Sequence, residues 1–110
     1  MNNVYLANDF HISMLCNLYK RAGVVEFSKL GINMAKRELA GGFTSIITNP
    51  VYCGILENLL NLKVKPNKLR IEAIPGDKIV VAKYTGPEIE SKAVGIPAGG
   101  KVEFFLALMR

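Results

Sequence analysis

The segment Val102 to Met109, VEFFLALM, constrains the fold most. It is apolar at odd and even positions alike and is interrupted only by Glu103. Successive side chains of a strand point to opposite faces, so such a segment is stable only where both faces of a sheet are covered. It predicts a central strand, with further layers packed on the sheet. It is of strand length and carries a charge, so it does not read as a membrane span. The remainder of the 110-residue chain has to supply the covering layers. That length suits one domain over residues 1–110, and half the residues are hydrophobic, enough for a real core.

The other segments fit this requirement. VYLAN (Val4 to Asn8) reads as a first strand, and Asp9 to Leu18 as a short helix or turn with Phe10, Met14, Leu15 and Leu18 at roughly helical spacing, broken at Gly23. Val24 to Phe27 reads as a second strand. Ser28 is the expected N-cap of a helix through KLGINMAKRELAGG, with Ile32, Ala35 and Leu39 on one face and Gly41-Gly42 as its stop. Phe43 to Thr48 is a short third strand. Asn49-Pro50 opens the best helix of the chain, because Asn caps well and Pro suits the first helical position. Val51, Ile55, Leu59 and Leu62 form its stripe, with Leu56 and Leu60 beside it, and it is expected to be sandwiched between layers and to end at VKPNK before Pro66. Leu69 to Ile74 and Lys78 to Tyr84 read as two strands of a hairpin joined by Pro75-Gly76-Asp77. TGPEIESKAVGIPAGG is a long loop of the length that is usually functional or disordered. The expected fold class is α/β, a mixed β-sheet with helices packed on it in a single compact domain.

Residue chemistry alone stops short of an activity. The net charge of +5 and pI near 9.4 bias the chain weakly toward anionic partners, but the lysines and arginines are scattered and form no run. Cys16 and Cys53 lack CxxC spacing and read as free thiols of a reducing cytosol, with no metal site and no disulfide. The N-terminus MNNVYLANDF lacks a basic n-region followed by an apolar h-region, so a cytoplasmic location is expected and no membrane partner. No phosphate-binding glycine loop, HExxH or nucleophile elbow occurs, and His11 is the single histidine. A small core gains stability from a partner subunit, most commonly a second copy.

Several segments together resemble a known family. VYLANDFHISML is similar to the strand and turn that open the viral anti-CRISPR ring nucleases. ELAGGFTSIITNPVYCGILENLLNLKVKPNKLRIEAIPGDKIVVAKYTGP follows the same family's order of elements, ending in its YxGP-like turn, and AGGKVEFFLAL is similar to its closing strand. The resemblance covers nearly the whole chain. It implies a protein of a virus, phage or mobile element, acting in the host cytoplasm. It also implies a homodimer that binds cyclic tetra-adenylate across its two-fold axis and cleaves it without metal or cofactor. No DNA is expected as a partner. In that family a 2′-hydroxyl of the ligand attacks the adjacent phosphate, and a histidine before the long helix assists as general acid.

The chain departs from the family at the reacting positions. Asn49, or Pro50 with a one-residue shift, stands where the family has its histidine, and neither transfers a proton at neutral pH. Glu88 stands for an arginine after the YxGP turn, and Lys68 for an arginine that starts a following strand, which keeps the charge but loses the bidentate fork. His11 replaces a serine of the first motif, while Asn8 matches it. The resemblance therefore places Asn8, His11, Asn49, Lys68, Gly86 and Glu88 at the ligand, with His11 the one candidate catalytic residue. The expected function is binding of cyclic oligoadenylate with slow cleavage or sequestration only. A protein-interaction module that blocks a host defence protein is the alternative, and an active nuclease relying on ligand geometry is a third reading.

Overall fold

The computed structural model of the chain describes residues 2–16 and 23–110. Its five described strands form one mixed sheet in the order β2-β5-β4-β1-β3. They are β1 (Val4–Ala7), β2 (Val25–Leu30), β3 (Thr44–Ser45), β4 (Lys78–Thr85) and β5 (Lys101–Met109). The described helices are α1 (Ile32–Leu39) and α2 (Pro50–Leu60), and a 3₁₀ turn spans Ile12–Met14. β4 and β3 run parallel to β1, whereas β5 is antiparallel to both β4 and β2. The expected α/β class is the observed one.

VEFFLALM does lie inside the sheet, hydrogen-bonded to β2 on one side and β4 on the other. Two cores account for its two apolar faces. On the helical face Leu6, Val80, Ala82 and Phe104 pack with Ala35, Leu39, Tyr52, Cys53, Leu56 and Leu60. On the opposite face Ala7, Ile79, Val81, Ala107 and Met109 are covered by Leu15, Ile71 and Ala73. The alternation along β4, with Val80 and Ala82 to one side and Ile79 and Val81 to the other, is the two-residue period of a strand buried on both faces.

Several expectations are corrected. Leu69 to Ile74 is not a strand and forms no hairpin with β4, because β1 and β5 already occupy both edges of β4. The segment crosses the sheet face, Ile71 and Ala73 are buried there, and its one bridge is parallel, from Ala73 to Leu15. Pro75-Gly76-Asp77 makes a turn instead, closed by the Asp77 amide on the Ile74 carbonyl at 3.0 Å. β4 forms its hairpin with β5, across residues 86–100. Ser28 is no helix cap. It lies in β2, which pairs with β5 as far as Leu30, so α1 starts after Gly31 without a side-chain cap. The third strand shrinks to Thr44–Ser45.

Of the short helix or turn expected over Asp9 to Leu18, a 3₁₀ turn is observed at Ile12–Met14, and Leu18 lies outside the described residues. α2 ends earlier than expected, at Leu60, where Asn61 takes a left-handed conformation and its amide reaches the Glu57 carbonyl. The buried face of α2 centres on Tyr52, Cys53, Ile55, Leu56 and Leu60, rotated from the predicted stripe. Asn58 is exposed and donates to the Val94 carbonyl at 3.2 Å, so the outer side of the helix meets the long loop and not a second layer.

Two polar side chains hold the ends of the parallel strands. Asp77 is 1 % exposed, and its carboxylate accepts from the Asn3 amide at 2.9 Å and the Ile74 amide at 3.1 Å, tying the entry to β1 to the entry to β4. At the other end Asn49 Oδ1 accepts from the amides of Val51 (2.9 Å) and Tyr52 (3.3 Å), capping α2 as the sequence predicts, with Pro50 at the first helical position.

Asp77→Ala leaves two amides without their acceptor, so it is expected to lower stability by about 3 kcal/mol in denaturant unfolding. Asn49→Ala removes only an exposed cap and is expected to cost about 1 kcal/mol. A thermal midpoint unchanged by Asn49→Ala, together with loss of ligand binding, would show that Asn49 serves a ligand and not the helix.

Candidate functional site

β1, β3 and β4 are parallel, so their carboxyl ends open on the same side of the sheet. Crevices beyond the carboxyl ends of parallel strands are the usual ligand sites of α/β proteins. Here the crevice is an open cleft of about 470 Å³ lined by Asn8, Asp9, Asn49, Tyr52, Lys83, Tyr84, Gly86, Pro87, Glu88 and Ile89. Asn8 and Asp9 follow β1 directly, Asn49 caps α2, and Lys83 to Ile89 are the end of β4 and the start of the long loop.

The cleft brings together four of the six positions expected at the ligand, namely Asn8, Asn49, Gly86 and Glu88. It does not include the other two. Lys68 is exposed and lines a separate hollow of about 360 Å³ with Ser13, Met14, Ile46, Thr48, Leu69, Arg70 and Ile71. His11 is exposed at the start of the 3₁₀ turn, where its carbonyl accepts from the Met14 amide. It is close enough to Asp9 to help hold that carboxylate ionised.

Sequence reasoning missed four polar or aromatic members of the cleft. Asp9 and Lys83 form an ion pair, Nζ to Oδ2 at 3.1 Å, and the other Asp9 oxygen accepts from the Phe10 amide at 2.9 Å. The hydrogen bond from Lys83 comes first, and with that amide it holds the Asp9 carboxyl below the usual carboxylate range. Tyr52 donates its hydroxyl to the Ala82 carbonyl at 2.6 Å, and burial pushes its pKa well above the ordinary phenol value. Tyr84 donates to the Pro87 carbonyl. The available signal was adjacency: Asp9 sits inside the VYLANDFHISML segment, and Lys83-Tyr84 immediately precede TGP.

Gly86 has a packing reason beside its place in the lining. Its φ of +137° is disfavoured for other residues, and a Cβ there would lie 2.5 Å from the Gly100 Cα. A Cβ on Gly100 would in turn lie 2.5 Å from the Tyr84 hydroxyl. The two glycines let the YTGP turn press against the end of the loop, which fixes that wall of the cleft.

The start of α2 offers an anion little. Pro50 has no N–H, the Val51 and Tyr52 amides are taken by the Asn49 side chain, and the Cys53 amide by the Asn49 carbonyl. The lining holds one ammonium, Lys83, against the carboxylates of Asp9 and Glu88. Among the described residues no cluster of three or more His, Cys, Asp or Glu is placed to hold a metal ion, and no helix is long and apolar enough to cross a membrane. Cys53 is buried and its thiol is pushed up by burial, while Cys16 is half-buried, and both are free.

The fold is similar to that of B116 of Sulfolobus turreted icosahedral virus, with a TM-score of 0.80, 16 % identity, and coverage of 97 % of this chain and 99 % of that one. At that identity the likeness concerns the fold. No curated protein matches the chain. The STIV B116-like family matches residues 4–95, from β1 through the cleft and most of the long loop, and the chain belongs to that family.

Proposed function

We propose that the protein binds a cyclic oligoadenylate in this cleft, as a homodimer, and sequesters it or cleaves it slowly. The supporting observation is the convergence of Asn8, Asn49, Gly86 and Glu88, far apart in sequence, on one cleft at the carboxyl ends of the parallel strands. The neutral part of the lining suits a nucleoside. The amide hydrogens of Asn8 and Asn49 can donate to base and ribose oxygens and nitrogens, and the Asn49 amide nitrogen takes no part in the helix cap. A source in a virus or mobile element, and action in the host cytoplasm, belong to the same proposal. The viral origin of the structural relative supports them.

The content of the cleft supports slow cleavage or none. The position before α2 holds a capping asparagine, and His11 is the sole imidazole of the chain, standing outside the lining. Any proton transfer by His11 in this reading needs the ring carried to the ligand, by the ligand's own extension or by the second copy.

A second reading has its own observation. The cleft lining carries two carboxylates to one ammonium, and Ile12, Val24 and Phe27 are large apolar residues left 68 %, 63 % and 54 % exposed. Large apolar side chains open to water are available for contact with another protein. A module that blocks a host protein would use it.

Incubation with a panel of cyclic oligonucleotides, reading both binding and products, separates these readings. Binding with slow or absent turnover is expected, and absence of binding to every member would favour the protein-interaction reading. Light scattering at micromolar concentration is expected to give a dimer mass, and a monomer mass would count against the two-fold ligand site. Residual cleavage is expected to vanish in His11→Ala, and rapid turnover surviving that change would point to catalysis by the ligand's own geometry. Lys68→Ala is expected to weaken binding if the second copy carries Lys68 to the ligand, and unchanged affinity would remove it from the site.

A further inference from the structure

We propose that Lys83 is the phosphate-holding cation of the cleft and that Asp9 is its resident counter-ion, which an anionic ligand displaces. This rests on the nucleotide reading of the cleft and names the group that would hold the phosphate.

The geometry assigns the role by chemistry and by reach. Among the described residues, Lys83 is the one ammonium of the lining. It leaves β4 on the sheet face opposite the helices, because it continues the Ile79 and Val81 side of the strand. There it also borders an apolar pocket of about 190 Å³ with Phe10, Phe27, Val81 and Phe105. An aliphatic stem in apolar surroundings with its charged head in water is the usual compromise for lysine. The head comes to the cleft at the end of the strand and meets Asp9 Oδ2 at 3.1 Å.

The two partners are held unequally. Asp9 is anchored through Oδ1 by the Phe10 amide at 2.9 Å, whereas among the described residues no second bond to the Lys83 ammonium is found. The side chains are 44 % and 43 % exposed, and an ion pair so open to water is weak. A phosphate arriving in the cleft competes with one carboxylate for a flexible ammonium that is already positioned. Asp9 then acts as a competing anion: it keeps the lysine in place when the cleft is empty and lowers affinity when a ligand comes. Both tyrosine hydroxyls and the Asn49 oxygen are bonded to the backbone and take no part in this exchange.

The test is calorimetric titration with two probes, cyclic tetra-adenylate and inorganic tripolyphosphate, against wild type, Asp9→Asn, Lys83→Met and the double variant at two salt concentrations. In Lys83→Met the new side chain retains the apolar stem, and in Asp9→Asn the side-chain oxygen can still accept from the Phe10 amide. Thermal melts check folding, and Lys83→Arg, which restores a cation, is expected to recover binding. Lys83→Met is expected to weaken both probes about tenfold or more and to flatten the salt dependence by about one ion. Asp9→Asn is expected to tighten both about two- to fivefold, an effect absent in the Lys83→Met background.

Cyclic tetra-adenylate bound equally by wild type and Lys83→Met would overturn the proposal and leave the nucleotide reading standing. Tripolyphosphate bound through Lys83 with no binding of cyclic tetra-adenylate would do the reverse. Failure of the wild type to bind either probe overturns both.

Discussion

The architecture depends on β4 being paired on both edges and buried on both faces. β1 lies parallel on one side and β5 antiparallel on the other, and Ile79, Val80, Val81 and Ala82 are all buried. Once both edges are taken, Leu69 to Ile74 has no edge to join and crosses the sheet face, where Ile71 and Ala73 close the second core. Asp77 fixes where β4 begins by binding the amides of Asn3 and Ile74, and the register from Val4 opposite Lys78 to Ala7 opposite Val81 follows. That register sets where the two strands end, and so brings Asp9 and Lys83 together beside Asn8. A one-residue slip would send Lys83 to the helical face and take its ammonium from the cleft.

The start of α2 shows how one residue type closes one kind of chemistry and permits another. A vacant helix N-terminus attracts anions because its first amides have no partners. Here Asn49 supplies the partner from within the chain, and Pro50 removes one amide altogether. The helix gains stability, and the site loses a ready cradle for phosphate. A ligand phosphate in this cleft would therefore depend on side-chain charge, which among the described residues the lining offers at Lys83.

Much of this was legible in the sequence where local chemistry decides. Asn49-Pro50 specified its helix start, VYLA and KIVVAKY their strands, and VEFFLALM its place inside the sheet, because caps and periodicity are written in adjacent residues. What was not legible depended on long-range pairing. Ser28 looks like a cap, but six residues of β2 pair with β5, and that ladder overrides a local preference. Ile71 and Ala73 alternate like a strand, and only the occupied edges of β4 exclude them. Within the site, Asn8, Asn49, Gly86 and Glu88 were picked out through resemblance and do meet in one cleft. Asp9 and Lys83 were not, since an ion pair between positions 74 residues apart has no local signature.

Under the proposed nucleotide reading, the protonation chemistry of the cleft decides between holding the ligand and cutting it. Cleavage through a 2′-hydroxyl needs a proton for the departing oxygen, hence a group that is protonated and free to give it. Tyr52 and Tyr84 have committed their hydroxyl hydrogens to the Ala82 and Pro87 carbonyls, and burial makes Tyr52 a still weaker acid. Asp9 is held ionised by Lys83 and the Phe10 amide, so it has no proton to offer. Asn8 and Asn49 do not titrate. The two tyrosines, Asp9 and the two asparagines are therefore unsuited to proton donation, which leaves the Lys83 ammonium as the protonated group at the cleft. Under the proposed nucleotide reading, an ammonium that holds the phosphate and keeps its proton at neutral pH favours retention over cutting, and His11 is the one imidazole the chain provides for the proton transfer.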